Sequence, residues 1–111
     1  MSSALRYQGI KNIEESHHLS CAKQLFNRVW DLMLKENRTE AEVDEMIHAA
    51  HASRYHWGVV GTELNAARGD WQLSRAYAVI GNGESALYYA KRCFELCLTY
   101  ALGAFDTGYA H

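Results

Sequence analysis

The fold is decided by the stretch WQLSRAYAVIGNGESALYYAKRCFELCL, residues 71–98, which predicts two helices joined by a tight turn. In each half, side chains that can pack recur every three or four residues and therefore share one face of a helix. They are Leu73, Ala76, Tyr77 and Ile80 before the turn, and Ala86, Ala90, Cys93 or Phe94, Cys97 and Ala101 after it. Gly81-Asn82-Gly83 ends the first helix and caps the second, because glycine tolerates the left-handed conformation and asparagine accepts a bond from a free N–H. We therefore predict an antiparallel helical hairpin.

This hairpin resembles a tetratricopeptide repeat, a two-helix unit of about 34 residues with a W-x2-L-G-x2-Y…A-x3-F…P pattern. The residues that match the pattern are Leu73, Ser74, Tyr77, Gly81 and Ala86. The sequence departs from it in three ways: Trp71 is one residue too close to Leu73, Ala90 replaces a large aromatic residue, and the chain has no proline.

The resemblance implies an all-α protein of about four helices in two stacked antiparallel hairpins. It also implies a groove, lined by the first helix of each hairpin, that binds a segment of a partner protein. The chain as a whole resembles bacterial proteins built from such helices, and this wider likeness implies no activity.

Composition limits the domain organisation and the class of partner. The 111 residues, 49 % of them hydrophobic, are enough for one domain with a core of its own. Eleven basic and thirteen acidic side chains give a net charge of −2, without a basic block, which argues against binding to nucleic acid or to a membrane surface. No apolar run is long enough to span a membrane, and residues 1–11 lack the apolar centre of a signal peptide. Three cysteines in such a chain favour reduced thiols and a cytoplasmic location.

The spacing of apolar residues and caps predicts helices over residues 14–36, 40–57, 63–80 and 84–102 of a single domain spanning 1–111. Thr39 and Glu42 form a capping box for the second helix, and Thr62 caps the third. We expect a loop over residues 58–61 and a weak or kinked point at Gly69. Residues 1–11 are expected to form a flexible arm, and residues 103–111 the start of a further helix.

One candidate site is a group of histidines. Asp44, His48, His51 and Tyr55 are spaced by four, three and four residues and line one strip of the second helix. Antiparallel packing would bring His17, His18 and Cys21 of the first helix toward Tyr55 and His56. Converging imidazoles suit zinc or iron, and the candidate ligands are His17, His18, Glu45, His48, His51 and His56. A bundle with two metal ions uses the Glu-x-x-His motif on two helices, whereas this chain has it once, at Glu45 and His48. The alternative is that these side chains are solvated or hydrogen-bonded at the edge of the hairpin.

A second candidate site is a polar strip on the third helix. It consists of Asn65, Arg68, Gln72 and Arg75, with Trp71 beside it. In a tetratricopeptide-like fold this helix lines the groove, and arginine suits a carboxylate, so the predicted partner is a protein or peptide segment with acidic residues. A solvated helix face is the alternative.

No set of residues indicates catalysis. Cys21 and His56 lack a third, orienting residue, and residues 58–62 lack the lysine of a phosphate-binding loop. The preferred hypothesis is therefore a non-enzymatic interaction module, and the rival is a helical metal protein or metalloenzyme. We also expect a homodimer, because Leu87, Phe94 and Leu98 lie on a side of the fourth helix that the third helix cannot cover.

Overall fold

The computed structural model describes residues 14–101, and all of its regular structure is helical. The four helices are α1 (Glu15–Met33), α2 (Glu40–Val60), α3 (Glu63–Val79) and α4 (Gly83–Thr99). α1 packs along α2 and α3 packs along α4, while α3 also packs against α2 and touches α1. The predicted all-α fold of stacked helical hairpins is confirmed. The predicted arm at residues 1–11 and the helix start at 103–111 lie outside the described residues.

The predicted caps explain where three of the helices begin. Thr39 Oγ1 accepts a bond from the N–H of Glu42, whose carboxylate accepts the N–H of Thr39 in return. Thr62 and Asn65 form the same reciprocal pair at the start of α3. Asn82 accepts the N–H of Ser85 at the start of α4. Each cap satisfies N–H groups that have no partner inside the helix.

The turn between α3 and α4 has the conformation expected from its sequence. Gly81 has a φ of 83°, which lies in the left-handed region that costs glycine nothing. Beyond the turn, Ser74 Oγ donates to the carbonyl of Ala86 at 2.7 Å, so the two helices approach closely where small residues were predicted to allow it. Farther from the turn, Cys93 and Cys97 are buried with Ala67, as the predicted small packing residues.

Three helix ends differ from the prediction by three residues, and one of them is that of α4, which ends at Thr99 rather than at residue 102. The expected loop over residues 58–61 is wrong in its first three residues, because α2 continues to Val60. Gly58 and Val59 are buried there, so tertiary packing overrides the low helix propensity of this Gly-Val-Val sequence. α1 ends at Met33 rather than near residue 36, and Arg38 Nη1 donates to the last carbonyls, including that of Met33 at 3.0 Å.

The core lies between the two hairpins. Its buried members come from α1, α2 and α3 and are mostly medium or small, which lets these three helices pack closely. They are Val29, Leu32, Met46, Ala49, Ala50, Leu73 and Ala76. Within the described residues, no helix is long and apolar enough to cross a membrane.

Gly69 has a different role from the predicted weak point. It is buried in the middle of a continuous α3, where Arg54 of α2 passes over it. A Cβ at this position would lie 2.7 Å from Arg54 Cδ. The glycine therefore lets Arg54 reach Asp70, with Nε 3.0 Å from Oδ1, and this ion pair joins the two hairpins.

Candidate partner-binding surface

Two tryptophans connect the first helices of the two hairpins. Trp30 of α1 and Trp71 of α3 have ring centroids 5.2 Å apart, and Phe26 meets the edge of Trp30 at 6.3 Å. All three rings are partly buried, so each keeps some surface open to solvent. Gln72 holds the helices in this position by donating to the carbonyl of Phe26 at 2.8 Å. We call the three rings and the arginines beside them, Arg68 and Arg75, the tryptophan surface.

The structure separates the members of the predicted polar strip. Arg75 is exposed, and Arg68 is partly buried. Since they lie three residues before and four residues after Trp71, both arginines share its side of α3. Asn65 is used in the cap at Thr62. Gln72 is fully buried and lies inside the protein rather than along a groove.

The sequence prediction omitted Phe26 and Trp30. Both are apolar residues of α1 at helical spacing, and that spacing assigns them to the core. A signal was present nonetheless: each hairpin carries a tryptophan on its first helix, and stacked hairpins place first helices side by side. The bond from Gln72 to a backbone carbonyl leaves no trace in the sequence, so the register of α1 against α3 is known only from the folded structure.

Apart from His18 and His56, the candidate metal ligands that the structure describes are not brought together. Glu45 instead forms a two-pronged ion pair with Arg28, at 2.7 and 3.0 Å, and this arginine holds the pKa of the Glu45 carboxyl below its usual value. His51 bonds to the hydroxyl of Tyr77 at 2.8 Å. Among residues 14–101, no three His, Cys, Asp or Glu side chains are close enough to hold a metal ion.

One predicted approach between histidines is confirmed. The Nδ1 atoms of His18 and His56 are 2.8 Å apart, so one ring donates and the other accepts. The contact links the start of α1 to the end of α2, and Tyr55 meets the ring of His56 at its edge. His18 is almost fully buried, and its Nε2 has no partner among the described residues. Burial lowers the pKa of His56, and the neighbouring His18 and His17 lower it further.

A polar cluster that the sequence did not predict lies where α2, α3 and α4 meet. The ring of His51 contacts Tyr77 and Tyr89, and the two tyrosine rings stack with 3° between their planes. Burial lowers the pKa of His51 and raises that of Asp70, whose Oδ2 has no partner among the described residues. These groups connect the three helices, and the rings of His51, Tyr77 and Tyr89 are partly buried.

Comparison with known proteins identifies no relative: no family model, curated protein or solved structure matches the chain.

Proposed function

We propose that this protein is a non-enzymatic interaction module that holds an acidic segment of a partner protein along the tryptophan surface. The observation that carries the proposal is the Trp30–Trp71 contact, which places two large, partly open rings at the boundary between the hairpins. Tryptophan and arginine are the residues most enriched among those that dominate binding energy. Here they occur side by side on one face.

The arrangement of helices supports the same function. In tetratricopeptide-like stacks the first helix of each hairpin lines the inner surface, and here those helices are α1 and α3. A ring pair fixed by packing on two helices loses little conformational entropy when a ligand binds. Arg75 is exposed and so retains its donors for a carboxylate. The preferred ligand is therefore a segment that combines an apolar side chain, for the rings, with one or more acidic residues.

The test compares capture by three forms of the protein. Wild type, Arg75→Glu and Arg92→Glu are immobilised, and the proteins that each retains from an extract of the native host are quantified by mass spectrometry. Arg92 is the matched control, because it is an exposed cation on α4, a helix that contributes no residue to the tryptophan surface. We expect at least one protein to be lost with Arg75→Glu and kept with Arg92→Glu.

A synthetic segment of that protein is then titrated while tryptophan fluorescence is recorded. Trp30→Phe and Arg75→Glu should each weaken binding by roughly tenfold or more, as expected for residues that anchor a ligand. Equal capture by wild type and Arg75→Glu would show that Arg75 only carries solvated charge and would remove the proposed function.

A further inference from the structure

The outer side of α4 carries a row of side chains that no helix of the described chain covers. Leu87, Phe94 and Leu98 are 56 %, 39 % and 64 % exposed, and Lys91, also exposed, stands between them. They are spaced by four, three and four residues, which is the spacing of a seam between two packed helices. We call this row the α4 seam.

We propose that the α4 seam pairs with the same seam of a second copy, antiparallel and about a two-fold axis that passes between residues 92 and 93. In this register Leu87 faces the partner's Leu98, and Lys91 faces the partner's Phe94. The leucine at each end of the seam thus contacts a leucine of the second copy. The long stem of Lys91 packs on the aromatic ring, and its ammonium group extends toward solvent.

The charges of Lys91 and Glu95 favour an antiparallel orientation of the two seams and a second copy of this chain as the partner. Parallel pairing would place Lys91 against its own copy, and like charges that face each other destabilise a helix pair. Antiparallel pairing instead brings Lys91 near the partner's Glu95, which is exposed next to Phe94. The two-fold axis repeats this ion pair, so the seam is complementary to itself.

The size of the seam predicts the strength of the dimer. One pair of 17-residue helices is about 25 Å long and buries less area than a standard protein interface. We therefore expect dissociation at roughly micromolar concentration. The tryptophan surface lies on α1 and α3 and stays open in this dimer, so each proposal can fail without the other.

Charge exchange tests the pairing directly. Sedimentation equilibrium of the full chain should show a rise from 12.6 kDa toward twice that mass with increasing concentration. Lys91→Glu and Glu95→Lys should each weaken the dimer by roughly tenfold or more, because each replaces two attractive contacts with two repulsive ones. The double variant should regain the dimer, and an equimolar mixture of the two single variants should form a mixed dimer, which native mass spectrometry resolves when one of the two variants is uniformly labelled with nitrogen-15. Arg92→Glu, adjacent in sequence but off the seam, should leave the mass unchanged.

Three results would overturn the proposal. A wild type that stays monomeric at high micromolar concentration would show that the seam is covered within one chain, for example by residues 102–111. A dimer that persists equally in both single variants would place the interface elsewhere. Failure of the mixed dimer to form, with both variants folded by circular dichroism, would exclude the antiparallel register.

Discussion

At the scale of single residues, the closest contacts between helices depend on small side chains and on one glycine. Ser74 reaches the carbonyl of Ala86 only because α3 and α4 lie close together at that point. Gly69 has the same effect between α2 and α3, where Arg54 occupies the space that a Cβ would take. The sequence predicted the first approach from the spacing of small residues. It did not predict the close approach of Arg54 to Gly69, because a glycine within a helix does not indicate which residue of another helix packs against it.

Enlarging the side chain at Ala86 tests the first contact. Ala86→Leu should lower the free energy of unfolding by about 1–3 kcal/mol, since the added atoms force the two helices apart. Ala78→Leu is the matched control, because Ala78 is exposed on α3 and its replacement should change stability by about 0.5 kcal/mol or less. Urea denaturation measures both. Equal stability of the two variants would mean that the hairpin is not tightly packed at Ala86.

Removing Arg54 tests the ion pair between the hairpins. Arg54→Met leaves the buried Asp70 carboxylate without its cation and should cost about 3–5 kcal/mol at neutral pH. Burial already raises the pKa of Asp70, and loss of the guanidinium raises it further. The folded variant therefore takes up a proton more readily than the unfolded chain, and its deficit relative to wild type should shrink as the pH is lowered. Urea titrations of both proteins at several pH values measure this deficit, and a deficit independent of pH would contradict the account.

At the scale of helices, the starts were predictable and the ends were less so. Capping at Thr39, Thr62 and Asn82 depends on neighbouring residues, and local sequence contains that information. The end of α2 depends on burial of Gly58 and Val59, which is a property of the whole fold. The candidate partner-binding residues show the same limit of local sequence. The spacing of Trp71 and Arg75 correctly predicts that they share one face of α3. The burial of Gln72 could not be predicted in this way, because Gln72 bonds to a carbonyl of α1.

Two partly buried histidines of α2, His51 and His56, predict how stability varies with pH. Burial lowers the pKa of His56 and of His51, so both rings stay neutral in the folded protein at pH values where they are protonated in the unfolded chain. The unfolded state then binds more protons, and stability should fall as the pH drops below about 6.5, the ordinary value of an exposed histidine.

Histidine replacements test whether the contact between His18 and His56 causes this acid sensitivity. His18→Gln/His56→Gln should reduce the loss of stability between neutral and mildly acidic pH. His48→Gln, at an exposed position of α2, should change it less, because His48 only adds to the lowering of the His51 pKa by burial. Thermal denaturation across this pH range provides the comparison. An identical slope for all three proteins would assign the acid sensitivity to other groups.

At the scale of the molecule, two stacked hairpins create two outer faces with different chemistry. The face formed by α1 and α3 combines Trp30 and Trp71 with Arg75, whereas the face of α4 presents Leu87 and Leu98 around a lysine. Apolar periodicity predicted the exposed face of α4. This helix has apolar residues on more sides than its neighbouring helices can cover, so one apolar side remains exposed. The geometry of the contact between α1 and α3 was not predictable, because it depends on how one hairpin is positioned on the other.

The central claim, that the tryptophan surface binds an acidic segment, is tested most directly by cross-linking from that surface in living cells of the native host. Trp30 is replaced by a photoreactive aromatic amino acid, and the cross-linked peptide is identified by mass spectrometry. We predict a cross-link to a segment of another protein that contains acidic residues, and we predict that Arg75→Glu in the same chain removes it while Arg92→Glu does not. Absence of any cross-link from position 30, or a cross-link that persists with Arg75→Glu, would contradict the claim.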